Sequence, residues 1–117
     1  MINVYLTIRE CDSYVIVALC GELDIADAAD VADRLMAAAA GRRKAIVDLA
    51  GLTFVDCSGV AAFAHAQRGV RQAGGNLLLA APRARVRRVF ELSRLIDGVV
   101  HASIEQATGF AMSPAAP

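Results

Sequence analysis

Residues Val47–Gly59 read V-D-L-A-G-L-T-F-V-D-C-S-G. Apolar β-formers fill its first half, and a turn-forming Asp-Cys-Ser-Gly closes it. Lys44–Leu49 reads as a short buried strand ending at Asp48. Leu52–Val55 then leads into Asp56, Cys57, Ser58 and Gly59. The spacing of Val60, Phe63, Ala64 and Val70 predicts a helix with those residues on its inner face. Gly74–Gly75 ends that helix. A buried strand running straight into a helix is the unit from which parallel sheets are built.

Working outward, the same unit recurs. Asn76–Ala81 reads as a strand and Pro82 as a turn. Arg83–Leu95 reads as a helix burying Val86, Val89 and Phe90. Val99–Ala102 is a last short strand. Ser103 and Gln106 fit a capping box opening a final helix, which Gly109 closes. On the N-terminal side, Asp27 is a candidate N-cap, with Asp30 three residues on. Ala28, Val31, Ala32, Leu35, Met36 and Ala39 follow at helical spacing, and Gly41 stops the helix. Ile2, Val4, Leu6 and Ile8 alternate with polar residues, Glu10–Ser13 is a polar turn, and Tyr14–Cys20 is a continuous apolar run. Those two segments predict a hairpin. The expectation is an α/β domain with a mixed sheet: an N-terminal hairpin followed by helix–strand units. Residues 1–110 form the domain and 111–117, rich in Ala and Pro, a disordered tail.

Composition narrows the function. The chain has 117 residues, which suits one domain with its own core. Its apolar content of 56% is rich in alanine, so mean hydropathy of +0.47 does not signal a membrane span. A span needs about 20 nearly continuous apolar residues, and the runs here are far shorter. The N-terminus lacks the plan of a signal peptide. These features predict a soluble, cytoplasmic protein without a membrane partner. Net charge is zero, which argues against direct DNA binding. Charge is unevenly placed, however: Asp24, Asp27, Asp30 and Asp33 crowd one segment, and Arg83, Arg85, Arg87 and Arg88 another. Cys11, Cys20 and Cys57 cannot all pair within one chain, and no Cys/His spacing suggests a metal. No cofactor is implied.

Ser58 admits two readings. It is a plain N-cap of the second helix, or it is a modification site. A helix N-terminus offers free N–H groups and partial positive charge, which would tolerate a phosphate. A phosphate adds about −1.5 to −2 charge. Asp56, and with it Asp24 and Asp48, would oppose that charge, so the sign of the surface would switch without refolding. Ala61, Ala62 and His65 lie three, four and seven residues beyond Ser58 and extend its face, with Arg68 continuing the stripe. His65 is about two turns away, roughly 10 Å along the axis, too far to act as its base. No paired carboxylates or Ser/His/Asp spacing supports an enzyme.

The chain resembles the STAS family, in particular the bacterial anti-sigma factor antagonists. Three segments carry the resemblance: G-E-L-D at Gly21–Asp24, Val47–Gly59 as quoted, and V-R-R-V-F-E-L-S-R-L-I-D at Val86–Asp97. The resemblance implies that Ser58 is the phosphoacceptor, with Asp56 and Asp24 as the acidic residues beside it. Helix geometry around that acceptor predicts a docking face of Ser58, Gly59, Ala61, Ala62 and His65, against the alternative of a plain solvated face. The implied partners are an anti-sigma factor with serine kinase activity, which uses ATP, and a metal-dependent serine phosphatase. The unphosphorylated form binds the kinase and frees a sigma factor; the phosphorylated form does not bind. Catalysis belongs to those partners. The chain departs from the family pattern at Cys57, where many members carry a hydroxyl, and at Arg94, often a small residue. A STAS module acting as a fixed, unphosphorylated adaptor and a small-molecule or nucleotide sensor remain the competing expectations.

Overall fold

The computed structural model describes residues 3–96 and 100–112. Strands β1 (Val4–Glu10) and β2 (Val15–Leu23) form the expected hairpin, turning where the Cys11 N–H donates to the Tyr14 carbonyl. Helix α1 (Ile25–Ala39), strand β3 (Lys44–Val55), helix α2 (Cys57–Gln72), strand β4 (Asn76–Ala80), helix α3 (Ala84–Ser93), strand β5 (Val100–His101) and helix α4 (Ile104–Met112) follow. The sheet order is β1-β2-β3-β4-β5, antiparallel in the hairpin and parallel thereafter. The α/β class and the mixed sheet agree with the sequence reading.

The period of each element explains its faces. Val15, Val17 and Leu19 of β2 and Ala45, Val47 and Leu49 of β3 point to one side of the sheet. Val31 and Leu35 of α1, Val60 and Phe63 of α2, and Val86 and Phe90 of α3 cover that side. Phe63 and Phe90 meet edge to face, with centroids 5.6 Å apart. On the other side, α4 packs Ala107 against Ile16, Ile46, Leu78 and Ala80. It is tied down by the Lys44 ammonium, which donates to the Thr108 carbonyl at 2.8 Å and lies over the Tyr14 ring.

Several boundaries differ from expectation for identifiable reasons. The strand expected to end at Asp48 runs on to Val55, because β2 also continues to Leu23 and the two pair to their ends as Gly21↔Leu52 and Leu23↔Val55. Register shifts after Ala18 and Gly21 accommodate the extra length. Asp48 does not reach that end. Its carboxylate accepts the Ala50 N–H at 3.0 Å and braces the irregular turn of the strand. Helix α1 is capped by Asp24 rather than Asp27, and Asp27 sits in its first turn. Helix α4 runs past Gly109 through Ala111 and Met112. Ser103 does cap it, accepting the Gln106 N–H. Helix α3 stops at Ser93, where Arg94 turns left-handed. Ile2, Val99 and residues 113–117, on which parts of the first and last strands and the tail were expected, lie outside the described residues.

Candidate functional site

The register of β2 against β3 builds the site. Leu23 pairs with Val55, so the next residues, Asp24 and Asp56, emerge side by side at one edge of the sheet. Each caps the helix that follows. Asp24 accepts the Ala26 N–H at 3.0 Å, and Asp56 accepts the Gly59 N–H at 3.0 Å. The same Oδ1 of Asp56 accepts the Ser58 hydroxyl at 2.6 Å.

Ser58 is therefore not the N-cap of α2. Asp56 holds that place, and Ser58 is the second helical residue. Its side chain is free of capping duty and half-exposed. The Ser58 hydrogen bond, aided by the N–H groups of α2, holds the Asp56 carboxyl below the usual carboxylate range, with burial opposing. A second carboxylate lies in the first turn of α1: Asp27, whose Oδ2 is buried without a hydrogen-bond partner. The edge is thus acidic, while the first turns of α1 and α2 present positive helix ends to it.

Gly59 sets the closeness of this arrangement. A Cβ there would meet Val55 Cγ2 at 2.5 Å and Leu23 Cγ at 3.1 Å. Its lack of a side chain lets the first turn of α2 rest on the ends of β2 and β3. Gly59 is buried, so it positions the site rather than presenting a contact of its own.

The expected docking face is only partly assembled. Ala61, His65 and Arg68 are exposed along one stripe of α2 beyond Ser58. Ala62, expected on that face, is 7% exposed and packs with Ala28 and Ala32 of α1. Helix α1 covers the side of α2 on which Ala62 falls. Two exposed apolar residues that the sequence reading did not name flank the two capping aspartates: Ile25, 79% exposed at the start of α1, and Phe54, 43% exposed at the end of β3. Phe54 was legible only with the register shift known, since simple alternation from Leu52 turns it inward. Cys57 is exposed at the first position of α2.

Among the described residues no group of His, Cys, Asp and Glu could hold a metal ion. No helix among them is long and apolar enough to cross a membrane. A cleft of about 420 Å³ opens at the opposite edge of the sheet, between Met36, Val70, Arg43 and Gly74. It is remote from Ser58, because α2 runs its full length between them.

Comparison with known proteins adds the following. The family model of the STAS domain matches residues 5–107. A protein of Bordetella bronchiseptica named as a candidate anti-sigma factor antagonist, BtrV, is 28% identical over 96% of this chain and 97% of its own length. The structure of the anti-sigma factor antagonist SpoIIAA in its unphosphorylated form superposes with a TM-score of 0.76, at 24% identity, over 93% of this chain and 97% of that one. The murine anion transporter Solute Carrier 26 family member A9 contains a similar region: TM-score 0.72, 26% identity, 90% of this chain and 18% of the transporter.

Proposed function

The chain belongs to the STAS domain family, and from that premise we propose that it is an anti-sigma factor antagonist switched by phosphorylation of Ser58. In its unphosphorylated form it binds an anti-sigma factor that is also a serine kinase, and so frees a sigma factor. The kinase passes the γ-phosphoryl of ATP to Ser58 Oγ, ADP leaves, and the hydroxyl proton goes to a base of the kinase. A serine phosphatase reverses the step. The chain supplies the acceptor and the docking face; catalysis lies in its partners.

The observation that carries this reading is the Ser58 hydroxyl, half-exposed in the first turn of α2 and bound to Asp56 at 2.6 Å. The hydrogen bond points Oγ in one direction before any kinase arrives. Phosphorylation removes its donor hydrogen. About −1.5 to −2 units of charge then stand beside the Asp56 carboxylate, with Asp24 at the same edge. The helix N-terminus lessens that repulsion, so the fold survives while its partner-facing surface becomes more strongly negative. The name of the Bordetella relative and the fold shared with SpoIIAA support the same role.

The test is intact mass after incubation with ATP and each anti-sigma kinase of the source cell, beside Ser58→Ala. Gain of one phosphate by the native chain alone is the expected result. Binding without any phosphate gain would instead favour a fixed adaptor, a use consistent with the similar region inside the anion transporter.

A further inference from the structure

Two helix surfaces, on α3 and on α1, are complementary, and the second meets the Ser58 edge at Ile25. Helix α3 carries Arg85, Arg87 and Arg88 in its first half, with Arg83 just before it and no acidic residue in its first turn. Cations there oppose the positive end of the helix, and neighbouring arginines repel one another. Among the described residues, Arg85, Arg87, Arg88 and Arg94 form no ion pair. The same helix exposes Leu92 at 77%, and Leu95 just beyond it at 45%. It is bracketed by Ala81 and Arg94, the non-glycine residues with positive φ among those described, at 59° and 56°. An arrangement unfavourable in the isolated fold points to a use outside it.

Helix α1 offers the counterpart. Its outer face combines exposed Ile25, Ala26 and Ala29 with Asp30 and Asp33. Among the described residues Asp30 is met only by Arg34, at 3.2 Å on the open surface, a weak pairing that another guanidinium can replace. Helix α1 packs against α2 and α2 against α3, so the acidic and basic faces lie on opposite flanks of the helical layer. They cannot neutralise each other within one molecule. The chain's zero net charge comes from balance across the molecule, and it leaves copies without net repulsion.

We propose that the α3 face of one copy docks on the α1 face of a second copy, Arg85 and Arg88 against Asp30 and Asp33, with Leu92 against the Ile25–Ala29 side. The contact is head-to-tail, so each copy retains one free face and the association extends with concentration rather than closing as a dimer. Because Ile25 follows Asp24, the contact borders the Ser58 edge, but it does not depend on the function proposed for that edge.

Sedimentation velocity of the full chain tests this. The expected result is a sedimentation coefficient that rises with protein concentration at about 10 mM salt. At about 1 M salt charge is screened within about 3 Å, and the association constant falls at least about tenfold. Arg85→Glu with Arg88→Glu, and separately Asp30→Arg with Asp33→Arg, leave monomers with unchanged thermal melts. Mixing those two double variants restores a complex. A control mixture of the Asp30/Asp33 variant with a chain carrying Asp30→Asn, Asp33→Asn, Arg9→Glu and Arg43→Glu, opposite to it in net charge but without an acidic α1 face, stays apart. The proposal is overturned by a salt-independent monomer, by association that survives either pair of reversals, or by a control mixture that associates equally well.

Discussion

Ser58 Oγ and Asp56 Oδ1 lie 2.6 Å apart, and the same Oδ1 holds the Gly59 N–H at 3.0 Å. One carboxylate oxygen thus caps a helix and orients the hydroxyl two residues later. Removing the hydroxyl tests the coupling. In Ser58→Ala the Asp56 carboxyl loses the largest cause of its lowered pKa and titrates higher. Carbon-detected NMR titration reads this directly, and an unchanged Asp56 midpoint would show that the hydrogen bond carries no weight. The sign for stability follows. A carboxyl with a folded pKa below its unfolded value stabilises the fold above the unfolded pKa, and that contribution is lost as pH falls through the folded one. Acid unfolding of Ser58→Ala below about pH 4 therefore begins at a higher pH than in the native chain.

Burial separates two neighbouring alanines that both neighbour Ser58 by spacing, at i+3 and i+4. Ala61 is exposed and Ala62 packs against Ala28 and Ala32. Ala61→Glu is expected to keep the native melting temperature and to weaken binding of the anti-sigma partner by tenfold or more, about 1.4 kcal/mol. Ala62→Glu places a carboxylate at the α1–α2 contact and destabilises the fold by about 3 kcal/mol or more, within the range for an uncompensated buried charge. Paired calorimetry and thermal melts distinguish the two. Equal loss of stability in both variants would refute the assignment of Ala61 to the docking face.

The seat of the site can be tested at Gly59. A methyl group there meets Val55 and Leu23, both packed in the core. Gly59→Ala gains helix propensity of about 1 kcal/mol, yet overpacking typically costs about 1–3 kcal/mol. The 2.5 Å approach to Val55 Cγ2 places this position where steric cost wins. A net loss of about 1 kcal/mol in urea unfolding is expected. Val55→Ala in the same chain removes the clashing methyl and recovers part of that loss relative to Val55→Ala alone, a coupling a double-mutant cycle measures.

Much of this was legible in the order of residues, because alternation in the hairpin and helical spacing of Val60, Phe63 and Val70 each admit few packings. What escaped depended on neighbours. Asp24 and Asp27 each have an aspartate three residues on, so spacing alone does not choose the cap. The choice follows from β2 reaching Leu23, which requires its pairing with Val55. The exposure of Phe54 follows from the same shifted register. Ser58 was readable as a cap or as an acceptor; Asp56, two residues earlier, took the capping role and left the hydroxyl available. Ala62 was lost to the docking face because alanine suits a surface and a close helix contact equally well.

His101, at the end of the two-residue strand β5, provides a measurement near neutral pH. It is buried, and burial lowers its pKa from the ordinary value of about 6.5. Its carbonyl accepts the Ala81 N–H at 2.9 Å and helps hold β5 beside β4. Above the unfolded pKa both states are neutral there and the ring makes no pH-dependent contribution. As pH falls below about 6.5, the unfolded chain takes up the proton first. Stability therefore declines from about pH 7 toward the lowered folded pKa and levels off beneath it. His101→Gln keeps a polar ring-sized side chain without the titration. Urea midpoints measured from pH 7.5 to 5 should fall in the native chain and fall less in His101→Gln. Parallel curves for the two chains would place the pH dependence elsewhere in the molecule.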